Sequence, residues 1–348
     1  MITSFDLNIV NPLEHPGWDE LLLSQQQYSF FHSSHWARVL TESYGYQPLY
    51  FTLIDRGTLN VLLPVMEVDS IITGKRGVSL PFTDYCELFL ADHALWQPVL
   101  RYLTRYGKKA GWKYLELRSR RGVPKNVPSS RSFLGHTLNL QKGQEWLYAA
   151  LRDSTKRNVR KAVREGLTVT RETSREAMEE FFRLNCLTRK RHGLPPQPAV
   201  FFKKIYEHII SPKYGSVFLA RHQGSAIAGA ICLQSREKVI YKYAASDHAY
   251  FHLRPNNLVL WEVIQWYSEN QYQLLCLGKT DQDSKGLIQF KNGWGAENEF
   301  IHYYKYNFSE GAFVRDSRFL AALTTRVLKM MPDQCLRGIG HFLYRHAA

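Results

Sequence analysis

Two apolar runs, residues 49–54 and 59–68, are separated only by Asp55-Arg56-Gly57, and such a short polar turn between β-prone runs predicts a hairpin. Pro64 inside the second run predicts an edge strand or a bulge, because proline has no N–H for a ladder. Helical periodicity is read over 18–23 and over 34–43, with Trp36, Val39 and Leu40 on one face. Further on, 87–90 and 114–117 read as strands around a helix at 94–109. A polar loop spans 119–131, and a strand follows at 133–140.

From residue 142 the character changes. One helix begins around Trp146, and a second, capped at Asp153-Ser154, reaches Gly166. Lys156, Arg160 and Arg164 recur every four residues with Arg157 and Lys161 beside them, which predicts a basic face opposite Val159 and Val163. After a strand at 167–170 and a helix at 174–189, Leu194-Pro195-Pro196-Gln197-Pro198 is extended, since successive prolines disfavour helix. A helix at 200–210 and strands at 216–221, 226–234 and 239–245 precede a helix at 258–269 and a strand at 272–277. A strand at 299–306 and a helical tail from Phe313, broken at Pro332, complete the reading. Both halves repeat helix, hairpin, strand, helix, strand, with Gly57 matching Gly224 and Leu115 matching Leu277, which predicts an internally duplicated mixed α/β unit. The expected divisions are 1–145, 146–310 and 311–348, the last as basic amphipathic helices.

With 348 residues, 45% apolar and 22% charged, the chain has enough core to fold without disulfides. Its five scattered cysteines form no CxxC pair and no metal-ligand spacing with the histidines, so reduced thiols, a cytoplasmic setting and no metal are expected. No apolar run approaches the roughly 18 residues of a spanning helix. The net charge of +14 favours an anionic partner: RNA, a phosphorylated sugar nucleotide or the inner face of a membrane.

Residues 277–295 hold the densest candidate chemistry, a charged stretch leaving a core strand through Gly278, where open α/β sheets collect ligands. Lys291 lies between Phe290 and Trp294, a setting that desolvates and focuses its charge. Acyl transfer to an amine needs a proton acceptor, a stabilised oxyanion and a protonated leaving group. Asp281 is the candidate base, with Asp283 more simply a loop cap. Lys291 is the oxyanion or leaving-group stabiliser, and Tyr243, expected on the same strand face as Tyr241, is a candidate acid. Lys279, Arg157 and Arg160 are candidate substrate contacts. The turn His252-Leu253-Arg254-Pro255-Asn256-Asn257-Leu258 has no glycine, yet Arg254 and the amides near Asn256 and Asn257 could hold an anion at a helix start.

Gly278-Lys279-Thr280, Gly286-Leu287, Phe290-Lys291 and Gly293-Trp294-Gly295-Ala296 together resemble the late motif of FemAB-like acyltransferases of the GNAT superfamily. The segment 155–162 resembles the basic Arg-Asn element of Fem-type proteins. The prolines at 195–198 resemble the polysaccharide-associated branch, from which Lys279 departs, since arginine is usual there. The resemblance implies tandem GNAT-like domains and an amide-forming acyltransferase, with the motif lysine, here Lys291, in catalysis. It implies a substrate groove in the first domain at Trp36, Asp84 and Tyr85, whose aromatic faces would stack on a sugar.

The expected reaction is transfer from acyl-CoA, such as acetyl-CoA, to an amino sugar or lipid-linked envelope precursor. The alternatives are a Fem-type enzyme using aminoacyl-tRNA and a non-catalytic module binding RNA or membrane. The basic tail, with Arg315, Arg318, Arg326, Lys329, Arg337 and Arg345, is expected to touch the anionic inner membrane peripherally.

Overall fold

The computed structural model describes residues 7–25, 28–315 and 331–346. In chain order they form β1 (Asn8–Val10), α1 (Trp18–Leu23), α2 (Ser34–Tyr44), β2 (Gln47–Asp55), β3 (Thr58–Val68), β4 (Arg76–Val78) and β5 (Phe89–Leu90). There follow α3 (Trp96–Ala110), β6 (Tyr114–Ser119), β7 (Arg131–Asn139), α4 (Gln144–Ala150), α5 (Asp153–Arg164), β8 (Thr168–Glu172), α6 (Arg175–Arg191) and α7 (Ala199–Ile205). The rest comprises β9 (Gly215–His222), β10 (Ser225–Ser235), β11 (Lys238–Ser246), α8 (Pro255–Glu269), β12 (Leu274–Asp281), α9 (Lys285–Asn292), β13 (Glu297–Asn307), β14 (Ala312–Val314) and α10 (Asp333–Tyr344).

The described residues up to Phe133, those from Phe300 to Arg315 and those from Leu343 onward form one unit; the remainder form a second. In the first unit the strands run β1-β2-β3-β4-β6-β13, with β5 also on β3 and β14 on β13. The predicted hairpin turns through Arg56 and Gly57, at φ 48° and 76°, the two left-handed residues that suit strand twist. β3 is an interior strand, so of the two readings of Pro64 the edge does not hold, while a bulge does occur in this strand, where the β2–β3 register shifts between Leu53 and Ile54, away from Pro64. On its far side β3 pairs with β5 at Val61–Leu62 and with β4 from Met66, so Pro64 falls in the gap where no ladder needs its N–H. Val61, Leu63 and Val65 meet Trp96, Val99, Leu103 and Trp112 in the core beneath α3.

In the second unit the order is β7-β12-β11-β10-β9-β8. Its hairpin repeats the same turn, with Gln223 and Gly224 at φ 50° and 80°. Each unit thus shows the predicted sequence of hairpin, further strand, helix and returning strand. In each the last two strands are parallel, β4 with β6 and β11 with β12. This is the expected mixed α/β repeat. Leu258, Leu260, Val263, Ile264 and Tyr267 of α8 pack with Val159 and Ala162 of α5 over Ala228, Ala230 and Cys232 of β10.

The tail from Phe313 starts as a strand, not a helix: Phe313 pairs with Tyr306. The part of the expected basic helix bearing Arg318, Arg326 and Lys329 lies outside the described residues. α5 keeps Val159 buried, whereas Val163 is 58% exposed, because a short helix gains only a narrow buried stripe. Its cap is Arg152, with Asp153 already in the first turn. None of the five cysteines forms a disulfide. Among the described residues, no helix is long and apolar enough to cross a membrane.

Candidate active site

β11 and β12 run parallel but pair only over Lys238–Ile240 and Leu274–Cys276. Beyond that point β11 stays with β10 as far as Ser246, while β12 continues separately to Asp281. The sheet therefore opens at the carboxyl ends of two neighbouring strands, the position where α/β sheets receive ligands. The stretch after Gly278, expected as a charged loop, is instead strand as far as Asp281. Gly278 supplies φ 72°, a left-handed kink inside the strand, and only a short turn then separates β12 from α9.

α9 returns across the end of β12 and sets Lys291 there. Its Nζ donates to the carbonyl oxygens of Gly278 and Lys279, both at 3.1 Å, and the side chain is only 8% exposed. Phe290 and Trp294 meet edge to face at 5.9 Å around it. The following loop is fixed by α5: Arg152 N–H donates to the Gly293 carbonyl at 3.0 Å, and a Cβ on Gly293 would lie 2.7 Å from Thr155 Oγ1. Glycine is required there for close approach, which ties the basic helix to the lysine.

His136 on β7 was not anticipated. It is 1% exposed; burial and then the charge of Lys291 push its pKa down to about 4, against the pull of Asn298 and Asn292. Neither ring nitrogen makes a well-formed hydrogen bond, and the same holds for Thr280 Oγ1, Asn292 Oδ1 and Trp294 Nε1. Thr280 Oγ1 on β12 and Trp294 Nε1 just after α9, both buried without a hydrogen-bond partner, mark a place suited to water or a polar ligand. No sequence signal singled out His136, since one histidine in a strand has no periodic partner.

Of the candidate catalytic residues, Lys291 and Asp281 share this strand end, Asp281 being exposed at the last position of β12. Tyr243 does not share a face with Tyr241. A bulge pairs Cys232 with Tyr241 but the adjacent Ile231 with Tyr243, which breaks the two-residue period. Tyr241 therefore packs with the α8 side of the core, and Tyr243 contacts the rings of Phe201 and Phe202 at 6.2 and 5.8 Å.

Arg254 has φ 63° ahead of Pro255, so the turn keeps a left-handed position without glycine. Asn256 Nδ2 donates to Ser246 Oγ at 3.1 Å, joining the start of α8 to the end of β11, and Asn257 is buried. Arg157 and Arg160 are exposed on α5, Arg160 Nε donating to Tyr148 OH at 3.0 Å.

In the first unit, Trp36 is fully buried against Phe31 at 5.2 Å and offers no face for stacking. Asp84 receives Tyr303 OH on its backbone carbonyl at 2.9 Å. Tyr85 is largely buried under the guanidinium of Arg120, 4.1 Å from its ring, which Glu87 holds in turn at 2.6 Å.

Each unit thus combines a hairpin, a parallel strand pair and a helix between that pair, and in the second unit the pair parts at its carboxyl ends beside the start of α8. Residues 149–291 match the acetyltransferase (GNAT) domain family. Over 140 residues the chain is 26% identical to the UDP-N-acetylmuramoylpentapeptide-lysine N(6)-alanyltransferase of Weissella viridescens, covering 40% of this chain and 41% of that one. The match thus spans less than half the length of that relative. Among solved structures, FemX aligns with a TM-score of 0.66 at 14% identity, covering 87% of this chain and 97% of FemX. A tandem GNAT protein from the clavulanic acid biosynthesis pathway aligns at 0.54 and 10% identity, over 87% and 98%. Residues 149–291 thus match a GNAT-type acetyltransferase domain, and the chain shares the tandem fold of FemX, in keeping with the resemblance its motifs showed.

Proposed function

We propose that the protein forms an amide by moving an aminoacyl group from aminoacyl-tRNA to a primary amine of a cell-envelope precursor. The observation that carries this reading is the buried Lys291 ammonium, fixed on the carbonyls of Gly278 and Lys279 where β11 and β12 part. Similarity to an alanyltransferase named for a UDP-N-acetylmuramoylpentapeptide lysine supports an aminoacyl group over an acetyl group and an envelope precursor over an amino sugar. The net charge of +14 and the exposed Arg157 and Arg160 suit a polyanionic donor.

In the reaction the amine nitrogen bonds to the ester carbonyl carbon, the ester C–O bond breaks, and the departing ribose oxygen takes up a proton. Lys291 is assigned to the negative charge that develops on oxygen during that exchange. Asp281, exposed at the strand end, is assigned to receive the proton the ammonium must lose. Lys279, Arg157 and Arg160 are assigned to the donor's phosphates. Tyr243 lies in an aromatic cluster and is assigned packing.

A second reading keeps acetyl-CoA as donor, favoured by the domain match and by the turn at Arg254, Asn256 and Asn257 ahead of α8. Presenting the purified protein with alanyl-tRNA or acetyl-CoA, together with UDP-N-acetylmuramoyl pentapeptide, separates the two. Amide product from the tRNA alone supports the proposal; product from acetyl-CoA alone replaces it with the second reading.

A further inference from the structure

Ile71 is 88% exposed and Ile72 54% exposed, at the tip of the turn between β3 and β4 in the first unit. Isolated exposed apolar residues are ordinary, but this consecutive pair sits on a tightly held turn. Ser70, itself buried, accepts from the N–H groups of Ile72 and Thr73 at 3.2 and 3.0 Å, and its carbonyl receives Gly74 N–H at 2.7 Å. The C-terminal segment is tied to the same turn. His346 Nδ1 lies 3.0 Å from Ser70 Oγ, and the buried Arg76 donates to the His346 carbonyl at 2.8 Å. That segment adds Leu343, 40% exposed, and the exposed Arg345.

The surroundings are basic. The Lys113 side chain lies across Gly74, its N–H donates to the Lys75 carbonyl at 2.8 Å, and the exposed Lys108 and Lys109 precede it in the last turn of α3. Asp69 is an exposed acid of the same turn, and Glu67 is already paired with Lys75 at 3.0 Å.

We propose that this isoleucine tip, with Lys113 laid across the turn and the exposed Lys108, Lys109 and Arg345 on the segments tied to it, docks the protein on an anionic bilayer. The isoleucines enter the headgroup and acyl boundary while these basic side chains meet lipid phosphates. The proposal is independent of the acyl-transfer reading. It also differs from a bilayer contact by the basic tail, because the apolar anchor is the β3–β4 turn.

Flotation with vesicles of phosphatidylcholine alone, and of phosphatidylcholine mixed with phosphatidylglycerol, tests it on the full chain. Binding is expected on the mixed vesicles at low salt, weakened about tenfold or more by the double substitution Ile71→Ser and Ile72→Ser. Each of Lys108→Gln, Lys109→Gln and Lys113→Gln should weaken it by roughly fivefold. An Ile71→Trp variant should shift its fluorescence to the blue on mixed vesicles, a readout that does not depend on folding being unchanged in the serine variant. No binding to mixed vesicles, or binding that the serine substitutions leave intact, overturns the proposal. Concentration-dependent self-association that those substitutions abolish, without vesicle binding, would assign the tip to a second copy of this chain instead.

Discussion

Lowering the pH should destabilise this protein through His136 in particular. The imidazole is 1% exposed and its pKa is held at about 4 rather than 6.5, by burial first and by the Lys291 charge second. The native state therefore resists taking up a proton that the unfolded chain accepts readily. With the folded value depressed, the contribution is complete above pH 6.5 and drains away as the pH falls towards 4. At about 1.4 kcal/mol per unit, this displacement is worth up to about 3 kcal/mol. His136→Gln keeps a polar, uncharged side chain at every pH. Urea unfolding of both proteins, followed by tryptophan fluorescence from neutral pH down to about 4, isolates the effect. Glu172 and Glu207, whose pKa values are lowered by hydrogen bonds to Thr170 and Lys204 first, titrate in both proteins and cancel in the difference. Wild type should lose up to about 3 kcal/mol more than the variant over this range. Parallel curves would refute the reasoning and place His136 away from any field of Lys291.

Other substitutions probe the same region. Gly293→Ala sets a Cβ 2.7 Å from Thr155 Oγ1 and should cost about 1–3 kcal/mol in unfolding free energy, with Thr155→Ala restoring part of that stability in a double-mutant cycle. Because Arg254 holds φ 63°, Arg254→Gly should be more stable than Arg254→Ala by about 1 kcal/mol in thermal melts, since alanine keeps the left-handed strain. Reversing Arg157 and Arg160 to glutamate should lower the slope of log affinity for tRNA against log salt by about 1 for each arginine that pairs with a phosphate, while melting temperature changes little.

Most strands and helices were legible because their periodicity is local: the two hairpins, α6 with its buried Phe181, and α8 all fall where apolar spacing predicts. The motif around Lys291 was legible as well, but its geometry was not. Gly278 was read as a strand exit, yet its left-handed φ lets β12 continue, and only the return of α9 reveals what the lysine touches. The bulge at Ile231/Cys232 moved Tyr243 to the opposite face from Tyr241, an effect of register that no two-residue count detects. Trp36 shows a related limit, since an aromatic at a helix start reads alike whether it stacks on a ligand or, as here, fills a core. His136 reaches Lys291 through pairing of β7 with β12, which joins segments far apart in sequence.

Lys291, set where β11 and β12 part, is the centre of the proposed reaction. The most direct measurement is the single-turnover rate of amide formation from alanyl-tRNA by wild type and by Lys291→Met, which keeps the buried stem and removes the ammonium. The prediction is a rate lower by about 10²–10³ in the variant, with tRNA binding and the unfolding transition retained. An undiminished rate in a folded, tRNA-binding variant would contradict the account.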